Sequence, residues 1–349
     1  MINSPIALAA GEFRSTRAPL VTVRAPGRLH LGFFDPGATL GRRFGSLGLV
    51  IDDFETVVQL FAAERDEISG APGVAGSELE RAAEHLAALR HRTGRWQSLH
   101  LHLARSLPVH AGFGSGTQLA LAIGRAFAQV HGIEACTEQI ARWLGRGARS
   151  GVGIAGFDRG GLLLDGGPGS DGAPAPLLAR LELPARWRAL LVMDPRVRGL
   201  SGHEEKRAIA SLPPFSREAA AEVCHHTLMQ ILPGAASGDF ATFAAGLGHV
   251  QQQLGEHFAP AQGGCAYTSA AVGRLLQWMA RSAGAAVGQS SWGPTGFAIL
   301  PSTADAEAAV AAARAAALID PALELHIVQG RNTGATLSVC PPFVSPICH

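Results

Sequence analysis

The sequence predicts an α+β protein built from two domains. Three observations carry that expectation. The chain has 349 residues, more than one hydrophobic core ordinarily serves. Hydrophobic residues make up 47% and charged residues 16%, a balance that can bury a large core and does not mark a disordered chain. Strand-like alternation and helix-like periodicity both occur in each half, without the regular strand–helix alternation of a doubly wound sheet.

Residues 1–18 read as a loose leader without the basic start of a signal peptide. Strands are expected at Leu20–Arg24, ending at Pro26-Gly27, then at Ser46–Ile51 and Glu55–Phe61. A helix is expected over Glu80–Arg92 and a strand over Gln97–Ala104. Leu119, Ile123, Phe127 and Val130 share one face of a helix over Gln118–Val130, and Thr137–Leu144 forms another. The glycine-rich stretch Gly145–Gly169 reads as turns around a strand at Gly161–Asp165. The boundary between domains 19–185 and 186–349 falls near Pro184, before a buried strand at Arg188–Met193. Helices at Arg217–Ile231, Phe240–Glu256, Thr268–Ala283 and Ala304–Ala317 follow. They accompany strands at Ala285–Gln289, Gly296–Leu300, Glu324–Val328 and Ala335–Val339.

A net charge of +1 argues against a general nucleic-acid binder. No apolar run approaches the ~18 residues of a membrane span. The five cysteines are scattered, with no CxxC spacing, as in a reduced, cytoplasmic protein. Lys206 is the single lysine. A step that needs a lysine amine must therefore use Lys206, while the arginines suit phosphate oxygens.

The sharpest local pattern is Gly112-Phe-Gly-Ser-Gly-Thr117, placed where a strand hands over to a helix. Gly112, Gly114 and Gly116 let backbone approach a ligand closely. The first helical amides lack internal partners and favour an anion, and Ser115 and Thr117 add hydroxyl donors. A plain glycine turn with a hydroxyl cap is the competing reading. The loop is not a P-loop, because the GK[ST] ending is missing.

Leu107-Pro108 with Gly112-Phe-Gly-Ser115 resembles the central motif of the GHMP kinase superfamily. Ala25-Pro-Gly-Arg-Leu29 is similar to its first motif, and Gly288-Gln-Ser-Ser-Trp-Gly-Pro-Thr-Gly-Phe297 stands in place of its third. The chain departs from the kinases at Gly114-Ser-Gly-Thr-Gln118, where they usually run GSSAA, at Arg28 for a lysine, and at Trp292 and Pro294. These departures agree with one branch, the β-ribofuranosylaminobenzene 5′-phosphate synthases. Arg28-Leu-His-Leu-Gly-Phe-Phe-Asp35, Gly41-Arg42, Arg149-Ser-Gly-Val-Gly-Ile154, Gly160-Gly-Leu-Leu-Leu-Asp-Gly-Gly167, Gln289-Ser-Ser-Trp-Gly-Pro-Thr295 and Asn332-Thr-Gly334 resemble that family.

The resemblance implies a GHMP-kinase-like fold with a ferredoxin-like C-terminal domain. It implies the joining of 5-phosphoribosyl 1-diphosphate to 4-aminobenzoate or a close analogue. Pyrophosphate and carbon dioxide leave, and the product serves methanopterin synthesis and one-carbon metabolism. An ATP-dependent small-molecule kinase is the alternative. The resemblance implies Mg²⁺ on the pyrophosphate, a phosphate on Gly112, Gly114, Ser115, Gly116 and Thr117, and donor anions on Arg28 and Arg42. Family members are commonly homodimers, though no segment here marks an interface. Asp35 either holds Mg²⁺, orients ribose or amine, or forms the turn before Pro36-Gly37. His30 either faces the site or sits in the core. Asp158 and Asp165 read as turn residues or metal ligands, and Trp292 and Phe297 as core or as a wall against the aromatic ring. An apolar wall is expected at the carboxylate that leaves, with arginines at the phosphates.

Overall fold

The computed structural model describes residues 7–10, 18–169, 173–200 and 202–340, apart from the side chains of 7–10, 202, 203, 205 and 206. The first half runs β1 (Ala7–Ala10), β2 (Val21–Asp35), β3 (Phe44–Ala62), β4 (Glu67–Gly70), α1 (Gly76–Thr93), β5 (Leu99–Arg105), α2 (Ser115–Val130), α3 (Thr137–Trp143), α4 (Val152–Arg159), β6 (Leu162–Asp165) and β7 (Leu177–Leu181). The second runs β8 (Arg188–Met193), α5 (Gly202–Ser211), α6 (Arg217–His226), a π turn at Thr227–Ile231, α7 (Leu232–Ser237), α8 (Phe240–Phe258) and α9 (Ala270–Ala283). It ends with β9 (Ala286–Gln289), β10 (Gly296–Leu300), α10 (Thr303–Ala315), β11 (Glu324–Gln329) and β12 (Thr336–Val339). Among the described residues no helix is long and apolar enough to cross a membrane. Lys206 lies in α5, with its side chain outside those described.

One sheet runs β1-β4-β5-β3-β2-β12, with β6 and β7 added along the other half of β3. β3 is long enough to serve both halves: Val57–Ala62 pairs with β5, and Ser46–Leu49 with β6. The sequence suggests two strands here, split at Asp52-Asp53. The chain instead passes through, with Asp53 in the left-handed region at φ 69, a conformation Asp tolerates better than most residues. β2 likewise continues past Pro26-Gly27, where a stop is expected. Its register against β3 shifts between Pro26 and Arg28 and again between His30 and Gly32. These bulges absorb the proline and re-aim the side chains between them.

Three glycines that read as turn formers belong to helix α4 and its start. Gly151 precedes the helix, a Cβ on Gly153 would lie 3.2 Å from Thr117 Cγ2, and one on Gly156 2.8 Å from Val50 Cγ2. They are there for close packing. Asp165 starts α4 from beneath: fully buried, it accepts from the hydroxyls of Ser46 (2.5 Å) and Ser150 (3.2 Å). It also accepts from the amides of Gly151, Val152 and Gly167 (2.7, 3.2 and 2.8 Å).

The second sheet has the order β11-β8-β10-β9, all antiparallel. With helices between its first and second and its third and fourth strands, this is a ferredoxin-like arrangement. Leu275, Leu276 and Met279 of α9 and Ala306 and Ala313 of α10 pack on one face. The other face shares a core with α6–α8 and with Leu29, Leu31, Leu47 and Leu49 of the first sheet. The two sheets are thus joined by apolar packing, which fixes the second half of β2 against the second domain.

Two boundaries differ from the sequence-based ones. Ala7–Ala10, read as part of a loose leader, pairs in parallel with β4, while 1–6 and 11–17 lie outside the described residues. β12, assigned to the second domain, returns to pair with Val21–Arg24 of the first sheet. The Asn332-Thr-Gly334 segment makes that return: Asn332 exchanges two 2.9 Å hydrogen bonds with Leu183. Cβ atoms on Gly160 and Gly334 would come within 2.4 Å of the opposing backbone. That motif is a latch.

Replacing Asp165 by Ala removes the acceptor shared by two hydroxyls and three amides, of which the Ser46 hydroxyl and the Val152 amide keep Ser150 Oγ as a second partner. The urea midpoint should fall by the equivalent of about 3 kcal/mol, with an unchanged slope; a loss under about 1 kcal/mol would show that Asp165 is not what holds α4.

Candidate active site

The glycine-rich segment stands where expected, between β5 and α2. Gly112 and Gly114 have φ of 90 and 74, a region open to glycine and costly for a side chain. No side chain caps α2 and no acid lies in its first turn. Its first amides and the positive end of its dipole are therefore open to an anion.

β2 brings two side chains to this end of α2. At the first bulge the Arg28 amide donates to Phe113 O (3.1 Å) and its Nη1 to Gly112 O (3.0 Å). A Cβ on Gly114 would stand 3.0 Å from Arg28 Cζ, so the guanidinium lies flat on the loop. His30 follows two residues on, 3% exposed. Burial first, and then the charges of Arg28 and Arg149, hold its pKa well below the usual value, so the ring is neutral. Its Nε2 has no hydrogen-bond partner in the protein.

The third glycine-rich segment, 288–297, closes the site from the second domain. The buried Ser290 hydroxyl accepts from the His30 amide (2.9 Å) and donates to Gly112 O (2.7 Å). A Cβ on Gly112 would meet Ser290 O at 2.4 Å, and one on Gly293 the Ala111 carbonyl carbon at 2.5 Å. Only glycine lets the two loops meet backbone to backbone.

Beyond His30 opens a cavity of about 840 Å³ between β2, α8, α9 and β9. Phe33, Phe258, Tyr267 and Trp292 line it, with Gln251 and Gln289 as polar groups. Trp292 and Phe258 meet edge to face at 4.8 Å. Burial pushes the Tyr267 phenol up to about 12. Arg281 and Glu256 are the charged residues of the lining. A volume of this size suits a small organic ligand. Phe297, the other aromatic residue weighed for this wall, is fully buried in β10 and belongs to the core.

The structure brings together Arg28, His30, Gly112, Gly114, Ser115, Gly116 and Thr117. It does not bring Asp35 and Arg42 to the loop. Asp35 pairs with Phe44 at the far end of the β2–β3 hairpin, where its carboxylate accepts from Leu40 N (2.6 Å) and Thr39 Oγ1 (3.2 Å). This is the turn role that Asp often takes. Arg42 is exposed and donates to Gly167 O (3.0 Å). Asp158 accepts from Thr137 Oγ1 (2.5 Å). Among the described residues no group of three His, Cys, Asp or Glu side chains is arranged for a metal. The loop is surrounded by guanidinium groups, a donor set that does not fit a magnesium cage built by the protein. Sequence reasoning missed Arg81, Arg146 and Arg198, which also stand near the loop. One signal was available: Glu78, Arg81 and His85 recur at helical spacing on α1.

Comparison with known proteins accords with this geometry. The model of the GHMP kinases N-terminal domain matches residues 78–161, and that of the GHMP kinases C-terminal domain residues 231–318. A homoserine kinase from Cytophaga hutchinsonii superposes with a TM-score of 0.64 at 16% identity, over 94% of this chain and 99% of its own. Mevalonate diphosphate decarboxylase from Enterococcus faecalis superposes at 0.65 and 16%, over 93% and 100%. The fold and the loop therefore define a protein of the GHMP kinase superfamily. Within it, β-ribofuranosylphenol 5′-phosphate synthase from Archaeoglobus fulgidus is 31% identical over 82% of this chain and 89% of its own. The Methanothermobacter thermautotrophicus enzyme of that name is 27% identical over 90% and 97%. The chain belongs to the β-ribofuranosylphenol 5′-phosphate synthase family.

Replacing Gly112 by Ala forces a methyl onto Ser290 and a side chain into positive φ, separating the loop from the third segment. Ligand-induced stabilisation by phosphoribosyl diphosphate in a thermal-shift assay should be lost. A normal shift in a folded Gly112→Ala protein would show that the contact does not shape the site.

Proposed function

We propose that this enzyme condenses 5-phosphoribosyl 1-diphosphate with a benzoate carrying a para hydroxyl or amino group, releasing pyrophosphate and carbon dioxide. One observation carries the reading: a neutral His30, its Nε2 without a hydrogen-bond partner, stands between an arginine-rich anion loop and an aromatic-walled cavity. The relatives are named for a ribosylated phenol 5′-phosphate, a product that needs a phosphorylated sugar and an aromatic ring held end to end. The alternative from the sequence, an ATP-dependent kinase, is less supported, because relatives that cover most of the chain are named synthases.

The chemistry follows from the arrangement. The bond from sugar C1 to the diphosphate oxygen breaks, its electron pair leaving with the diphosphate. The para substituent pushes electron density to the ring carbon that bears the carboxylate, and that carbon bonds to C1. Loss of carbon dioxide returns its bonding pair to the ring and restores aromaticity, so no base is needed to remove a ring proton. Arg28 and the amides before α2 hold oxygens of one of the donor's phosphate groups and so fix the sugar for departure of the diphosphate. A charged imidazole would repel the oxocarbenium-like C1; His30, kept neutral, contacts the reacting groups without that penalty. An apolar wall leaves the carboxylate poorly solvated and favours its loss, whereas an arginine clamped on it would oppose the step. Magnesium would come with the donor's diphosphate and offset its charge, with no side chain of this protein assigned to it. The reaction belongs to methanopterin synthesis for one-carbon metabolism and takes place in the cytoplasm.

Purified enzyme supplied with phosphoribosyl diphosphate and carboxyl-labelled 4-hydroxybenzoate or 4-aminobenzoate should release labelled carbon dioxide from one of them, only when the donor is present. Release from neither acid ends the proposal. His30→Ala should lower kcat/KM by about 10²-fold while the fold stays intact.

A further inference from the structure

The donor carries two separate anionic groups, and Arg28 with the loop accounts for one. The remaining cations near α2 come from elements that the motifs do not include. On α1, Glu78, Arg81 and His85 fall at i, i+3 and i+7, on one face. Arg81 Nη2 donates to Glu78 Oε1, whose residue is fully buried. Arg146, from the segment between α3 and α4, gives Nη2 to His85 Nε2 at 3.2 Å. Arginine has no acceptor, so His85 Nε2 accepts and its proton sits on Nδ1. Each guanidinium is held from behind by one terminal nitrogen. The other ends of both reach one place: a Cβ on Gly116 would lie 3.2 Å from Arg81 Nη1 and 3.6 Å from Arg146 Nη1.

Two like charges are thus gathered at the positive end of a helix dipole. Arg198 adds a third, with His110 beside it. Glu78 and Glu84 are the acids that face the arginines, and Glu204 faces His110. Burial and Arg198 lower the Arg81 pKa, and burial and Arg81 lower that of Arg146, each relieved by Glu84. Burial first, then Arg146 and Arg81, brings His85 down to about 4, so it is a neutral acceptor near pH 7. The Arg146 Nε is buried without a partner. Guanidinium groups in this proximity are stabilised by an anion between them and repel without one.

We infer that Arg81 and Arg146 form a clamp over Gly116 for the diphosphate of the ribosyl donor, with Glu78 and His85 as positioning residues behind it. The inference rests on the reading that the donor is a phosphoribosyl diphosphate. The diphosphate is favoured over the 5′-phosphate because its charge is larger and grows as the bond to C1 breaks. Cations placed there stabilise the transition state more than the ground state. Gly116 fits the same role, since any side chain would occupy the space between the two guanidinium groups.

Calorimetric titration of the purified enzyme tests this, with inorganic pyrophosphate in one arm and ribose 5-phosphate in the other. Arg81→Ala and Arg146→Ala should each weaken pyrophosphate binding about tenfold or more and leave ribose 5-phosphate binding within about threefold. His85→Leu should weaken pyrophosphate binding, and His85→Gln, which restores an acceptor, should recover most of it. Should Arg146→Ala fail to fold, Arg146→Lys keeps the charge, loses the fork and should still weaken pyrophosphate binding several-fold. The clamp is overturned by a folded Arg146 variant with wild-type pyrophosphate affinity. A larger loss for ribose 5-phosphate than for pyrophosphate, or equal effects of Leu and Gln at position 85, also overturns it. These outcomes are independent of turnover. A wild-type enzyme that releases no labelled carbon dioxide defeats the synthase reading, while pyrophosphate binding still reports on the clamp.

Discussion

The site depends on one buried hydroxyl. Ser290 accepts from the His30 amide and donates to the Gly112 carbonyl, so it ties β2, the loop before α2 and the third glycine-rich segment together. Each of those segments comes from a different part of the chain, and the third comes from the second domain. Hydrogen bonds to backbone at both ends leave Ser290 little freedom, and its full burial keeps water from competing. The glycines around it follow from the same constraint. At Gly112 and Gly293 the two loops approach so closely that a Cβ would collide with backbone.

Around that junction the chain separates two kinds of surface. On one side the α2 N-terminus, Arg28, Arg81 and Arg146 present positive charge. On the other, Phe33, Phe258 and Trp292 give the cavity an aromatic wall. Phosphates need the first, and an aromatic acid about to lose its carboxylate needs the second. His30 sits at the boundary, and burial with two neighbouring arginines keeps it neutral. The proposed reaction differs from that of a kinase on the same fold, since it transfers no phosphoryl group and needs no base to deprotonate an acceptor hydroxyl.

Much of the fold was legible in the sequence, and the misreadings share a cause. Helix α2 and strand β8 show clean periodicity, because each has a plainly sided or fully buried environment. β2 and β3 were read as broken because Pro26-Gly27 and Asp52-Asp53 are ordinary stops. Pairing on both edges of the sheet outweighs those local preferences, and bulges take up the misfit. Helix α4 was read as turns because its glycines serve contact with Thr117 and Val50, which no local pattern reveals. For the site, the loop, Arg28 and His30 stand side by side, whereas Asp35 and Arg42 were grouped with them on the family resemblance. The structure sets those two at the opposite end of the hairpin.

By itself the sequence determined the α+β class, the strand–loop–helix that offers amides to an anion, and the wealth of arginine over lysine. These are local properties, set by periodicity, by glycine's conformational freedom and by side-chain chemistry. Only the tertiary structure decided which arginines face the loop, that Ser290 joins three distant segments, and that aromatic residues of α8 and the third segment enclose one cavity. Such juxtapositions depend on how two sheets and their helices pack across a shared apolar core, and no interval along the chain encodes a distance through space.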